Sequence, residues 1–211
     1  MEIKNNFISI IALGNFNPAI LTPDFLWNNC KFITDQTPKG QTTPVVSNLE
    51  FDNISFLMEL EKFQIMDKKP HTFKDTKIIK VMETYLDILS FTPIFVMGLN
   101  FNVELESASE KAISNLNDKD YLLKVLNAKE LIYSSKTKYS KGSLIDYLSW
   151  ELINSEESIT RANINLKEKI FTLNYNVEIR DMKNDSRKIK YFSENLDSIN
   201  NKFQNFLKNI F

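Results

Sequence analysis

The chain has one cysteine, Cys30, so it can form no internal disulfide and no thiolate metal cluster. It has one histidine, His71, which leaves little material for a Ser-His-acid relay or an imidazole-rich metal site. Its four glycines, Gly14, Gly40, Gly98 and Gly142, never cluster, which excludes phosphate-cradling glycine loops and dinucleotide fingerprints. No Gly-x-Ser-x-Gly elbow occurs. No apolar run approaches the roughly 20 residues of a membrane span, and the opening residues do not read as a secretory leader. A net charge of −1 argues against a general polyanion binder. These absences point to a soluble, cytoplasmic, non-catalytic protein that needs no cofactor and no metal, with no membrane partner.

What remains is ordinary globular material. An apolar share of 43% over 211 residues is enough to bury a sizeable core. Arginine is confined to Arg161, Arg180 and Arg187, while Asn, Lys, Ile and Phe abound. An AT-rich coding sequence produces that bias with no function attached, so Asn and Lys clusters need support beyond their number.

Hydrophobic periodicity supplies the elements. "FISIIALGNF" from Phe7 reads as a strand, and Thr22 caps a short helix with Pro23 in its first turn. "QTPKGQTTP" (36–44) reads as a loop. Asp52-Asn53 reads as a hairpin turn between "VVSNLEF" and "ISFLMELEKFQIM", with Phe56, Met58 and Leu60 on one face. Residues 74–89 carry helical spacing in Ile78, Met82, Tyr85 and Leu89. "IFVMGLNFNVELE" is a strand, followed by a helical stretch after Glu106. "SSKTKYSKGS" reads as a loop or strand connection, and "SLIDYLSWELI" fits a helix better than a strand. "SITRANINL" and "KIFTLNYNVEIRDM" form a hairpin turning near Lys167-Glu168. The stripe Ile189, Phe192, Leu196, Ile199, Phe203, Phe206, Ile210 marks a long amphipathic C-terminal helix.

The expected fold is therefore α+β: a largely antiparallel sheet built from two similar strand-helix-hairpin-helix halves, with the long helix at the end. The chain reads as one domain, 1–211, with pseudo-repeats at 1–90 and 91–211. "FTPIFVMGLNFNVEL", the later hairpin strand and the terminal stripe resemble a sporadically distributed bacterial family of uncharacterised proteins with two related halves. That resemblance implies an accessory protein, in the setting of a mobile or anti-phage defence operon, and transfers no catalytic residue.

Candidate sites follow. His71, in "KKPHTF", reads as a solvated loop histidine more readily than as a general base, and Cys30 as a buried thiol. Glu59 with Glu61, and Glu104 with Glu106, lie two apart on strands and suit a divalent cation or simply a wet sheet face. Lys136, Lys138 and Lys141 with Tyr139 offer a small basic, aromatic nucleic-acid site, and Lys68, Lys69, Lys74 and Lys77 flank His71 in the same manner. Phe203, Phe206 and Ile210 are candidate partner contacts.

Finally, "GLNFNVEL" (98–105) and "TLNYNVEI" (172–179) repeat one pattern. Each sets an apolar face against an amide face, which predicts two strands of one sheet with Asn100, Asn102, Asn174 and Asn176 side by side. That face is a second candidate partner surface. The expected function is an interaction or adaptor subunit contacting other protein chains or a second copy. The alternative is a nucleic-acid-binding or metal-dependent nucleic-acid-processing component.

Overall fold

The computed structural model describes residues 2–30, 37–70, 72–106, 134–138, 147–154, 158–167, 170–180 and 185–210. Strand β1 (Glu2–Gly14) leads through a 3-10 turn (Pro18–Ile20) to helix α1 (Pro23–Asn29). The Thr22 hydroxyl accepts from the Phe25 amide at 3.1 Å, satisfying one free N–H of α1. Strands β2 (Lys39–Thr42), β3 (Val46–Phe51), β4 (Ile54–Glu59) and β5 (Lys62–Asp67) form a meander that ends at helix α2 (Ile78–Ile88). Strand β6 (Ile94–Glu106) comes next. Strands β7 (Ser134–Lys138), β8 (Tyr147–Asn154), β9 (Ser158–Lys167) and β10 (Ile170–Ile179) follow, and helix α3 (Asp185–Ile210) closes the chain.

All ten strands join one sheet in the order β2-β3-β4-β5-β1-β6-β10-β9-β8-β7, and every pairing is antiparallel. The α+β class, the large antiparallel sheet and the C-terminal helix agree with the periodicity of the sequence. Residues 39–67 form a four-stranded meander, however, where a two-stranded hairpin was expected. "ISFLMELEKFQIM" is two strands turning at Leu60-Glu61. Buried positions are even-numbered in β4 (Phe56, Met58) and odd-numbered in β5 (Phe63, Ile65, Asp67), so the alternation changes phase at the turn. Leu60 is accordingly exposed and does not share the face of Phe56 and Met58.

Two further expectations change. The described part of "SLIDYLSWELI", from Tyr147, is strand β8 and not a helix, a register shift between Glu151 and Ile153 breaks its alternation, and residues 143–146 lie outside the described residues. Part of "QTPKGQTTP" is the edge strand β2, where Gly40 takes φ 105 and a Cβ would lie 2.0 Å from the Asn48 carbonyl oxygen. The Asp52-Asn53 turn is as expected, with Asp52 at φ 47. The helical stretch expected after Glu106 lies outside the described residues.

The helices share one face of the sheet. Ile8, Ile10, Phe56, Phe63, Leu99, Phe101, Leu173 and Tyr175 form one buried cluster with Leu26 of α1, Met82 and Tyr85 of α2, and Phe192, Phe203 and Phe206 of α3. Phe203 is the hub, with its ring 5.1 Å from Phe101, 5.4 Å from Tyr175 and 5.5 Å from Phe73. The apolar stripe of α3 is thus taken up by the chain's own sheet, and Phe203 and Phe206 are not available as partner contacts. The side chain of Ile210 lies outside the described residues.

Cys30 is buried in the same cluster, and burial pushes its thiol from 9.0 up to about 11. Ellman's reagent at pH 8 should leave the native thiol unmodified and titrate it once the chain is unfolded. Because the folded value is the raised one, this group's stabilisation is complete below about 9 and is lost as pH rises through 11. Tyr85 and Tyr175, also raised by burial, act in the same direction. A denaturant midpoint that stays flat between pH 8 and 11 would contradict this.

Candidate functional site

The second face of the sheet is covered by no helix among the described residues, and its centre is an array of asparagines. The two octapeptides lie on adjacent strands, with Asn176 opposite Asn100 and Asn174 opposite Asn102. On the far side, Asn163 of β9 stands opposite Asn174, and Ser9 of β1 opposite Asn100. Alternation along each strand sends the apolar partners Leu99, Phe101, Val103, Leu173, Tyr175 and Val177 to the helices.

The amides bond to one another. Asn174 Nδ2 donates to Asn102 Oδ1 at 2.9 Å and to Asn100 Oδ1 at 3.3 Å, and Asn176 Nδ2 donates to Asn100 Oδ1 at 2.9 Å. Asn163 Nδ2 reaches Asn174 Oδ1 at 3.4 Å. Gly98 explains why the first octapeptide starts with glycine: a Cβ there would lie 2.9 Å from Asn176 Nδ2. At one corner Glu178 accepts from Arg161 at 3.0 Å and from Arg180, so two of the three arginines are engaged by one carboxylate. The array is a neutral set of mixed donors and acceptors in which Ser9 and Asn100 are buried and Asn102, Asn163, Asn174 and Asn176 half-buried. Amides neither ionise nor attack a substrate at neutral pH, so this chemistry suits hydrogen-bonded recognition.

The other candidates are not brought to this array. Glu59 ends β4 and Glu61 sits in the following turn, so they are not neighbours on one strand face as expected. Glu104 is half-buried on β6 opposite Thr172, and the side chain of Glu106 is not described. Among the described residues no group of three or more His, Cys, Asp or Glu converges. Lys136 and Lys138 lie on the edge strand β7, with backbones paired to Ser149 and Tyr147. Their side chains, together with Tyr139, Lys141 and His71, lie outside the described residues. Lys68 pairs with Glu50 at 2.7 Å and Lys74 with Asp197 at 3.0 Å, so two lysines flanking His71 already hold carboxylates. The Lys68 ammonium, by its hydrogen bond first and its charge second, holds the Glu50 carboxyl below its usual range.

Sequence reasoning reached the four central asparagines through the repeated strand pattern. It missed Asn163, Ser9 and the Arg161–Glu178–Arg180 group, which join the array only through the order of strands. Among the described residues, the fold is that of an α+β protein whose helices pack on one face of a large antiparallel sheet and whose other face bears the amides. Neither a family model nor a curated protein matches the chain. No described helix is long and apolar enough to cross a membrane.

Proposed function

We propose that this protein is a non-catalytic interaction subunit whose amide-bearing sheet face contacts another protein chain. The observation that supports this is the Asn100–Asn102–Asn174–Asn176 network on a face that no described helix covers. Neutral amides match the donors and acceptors of a peptide surface, and the central position on a broad sheet gives them a rigid support. The work is cytoplasmic, in a multiprotein assembly; the defence-operon setting rests on the family resemblance alone. The halves 1–90 and 91–211 are read as a duplication, supported by a strand order that runs outward as 5-4-3-2 from β1 and as 10-9-8-7 from β6.

The test is affinity capture from the host lysate, with Asn102→Arg/Asn174→Arg as the comparison. The wild-type chain should retain a stoichiometric partner. The variant should lose at least half of it while still folded by far-UV circular dichroism, with a lowered denaturant midpoint because it removes the Asn174 hydrogen bonds and sets two like charges opposite each other. A monomer retaining nothing overturns the proposal. So does tight binding of a single-stranded oligonucleotide that is abolished by alanine at Lys136, Lys138 and Lys141, which moves the function to nucleic acid.

A further inference from the structure

Among the described residues, five of the seven large apolar side chains left in water lie at one end of the sheet, Ile3 and Val45 being the other two. Phe91 is 97% exposed, Phe95 59%, Leu60 53%, Ile88 46% and Leu13 44%. The backbone draws them together around the end of β1. The amide of Phe16 bonds the Leu60 carbonyl at 2.8 Å, and that of Asn15 bonds the Pro93 carbonyl at 3.0 Å. Leu13 pairs with Lys62 on one side and Val96 on the other. Phe95 owes its exposure to an irregularity: the register passes from Leu13↔Val96 to Gly14↔Ile94. That shift turns Ile94 into the core and Phe95 outward. Ile88 ends α2, three residues before Phe91.

Isolated exposed apolar residues are ordinary, but a group of five at one end marks a contact surface. Its rim carries charge of mainly one sign. Glu59 and Glu61 flank Leu60, and Asp87 adjoins Ile88, all three exposed; Lys62 beside Leu13 offsets them in part. An isologous contact with a second copy would press these carboxylates against their equivalents. An anionic membrane would be repelled by the same rim. A cationic, amphipathic polypeptide meets both the apolar centre and the acidic border.

We propose that this end of the sheet docks a segment of a partner protein whose apolar side chains are flanked by Lys or Arg. The proposal deepens the interaction reading and uses residues other than the asparagines, although Leu13 shares their sheet face. The probe is a synthetic amphipathic helix with Leu and Phe on one face and Lys on the other; its counterpart carries Glu in place of Lys. The full chain should bind the Lys peptide saturably, more weakly at high salt, and should not bind the Glu peptide. Phe91→Ser/Phe95→Ser should weaken binding about tenfold or more, as loss of aromatic anchors does. Glu59→Lys/Glu61→Lys/Asp87→Lys should transfer the preference to the Glu peptide.

Equal binding of the two peptides, or binding indifferent to the Phe pair, overturns the proposal. A concentration-dependent dimer in sedimentation, lost in Phe91→Ser/Phe95→Ser, assigns the surface to a second copy and overturns it as well. If the lysate partner is captured undiminished by the Phe variant while the Lys peptide fails to bind, this surface is rejected and the interaction reading stands. If no partner is captured at all, the interaction reading fails whatever the peptide does.

Discussion

Truncating Phe203 to alanine should lower the free energy of unfolding by about 3–5 kcal/mol, the range for removing a buried aromatic ring. The ring is fully buried and touches three others, Phe73, Phe101 and Tyr175. Those neighbours come from the segment before α2, from β6 and from β10, so no single element can move in to fill the space. Urea denaturation followed by far-UV circular dichroism should show the midpoint falling with an unchanged slope. Phe91→Ala is the matched control, because the same truncation at a 97% exposed ring should change stability by less than about 0.5 kcal/mol. Equal losses in the two variants would mean that α3 does not pack on the sheet as described.

Gly14→Ala should cost about 1–3 kcal/mol by overpacking. A Cβ at this position would lie 2.1 Å from the Pro93 carbonyl oxygen and 3.1 Å from the Ile94 Cα, and both are backbone atoms. The obstacle cannot swing aside, because the Pro93 carbonyl accepts from the Asn15 amide and the Gly14 amide itself donates to Glu61. Relief must come from parting β1 from β6 at the centre of the sheet. Gly98→Ala provides the contrast. Its Cβ would meet Asn176 Nδ2 at 2.9 Å, the far end of a side chain that can turn. The expected loss there is smaller, and its mark is a shifted Asn176 amide resonance. A Gly14→Ala protein as stable as the parent would contradict the approach of β1 to Pro93.

Elements announced by local chemistry were legible in the sequence. Thr22 with Pro23, the Asp52-Asn53 turn, the ends of β6 and the stripe of α3 each depend on neighbours a few residues away. The turn at Leu60-Glu61 lacks Gly, Pro, Asn and Asp, so only the phase change between Met58 and Phe63 marks it. Strand β8 read as a helix because the irregularity near Leu152 spoils its alternation and leaves apolar residues at three- and four-residue spacings. For the candidate site, alternation fixed which face the asparagines occupy. Their partners Asn163 and Ser9 were set by the adjacency of β9, β10, β6 and β1, which no periodicity encodes.

The placement of β1 between β5 and β6 also governs how the chain is made. Synthesised first, the strand carrying Ile8, Ile10 and Ala12 gains its first neighbour only when residues 62–67 emerge and its second at 94–106. The β3–β4–β5 meander closes earlier, because its loops are short and their closure entropy is small. A nascent chain halted before Ile94 therefore presents one unpaired edge of an apolar strand to solvent, the kind of edge that recruits holdase chaperones or aggregates. Ribosome-bound chains stalled before residue 94 should be more protease-sensitive and more chaperone-associated than chains stalled after β10.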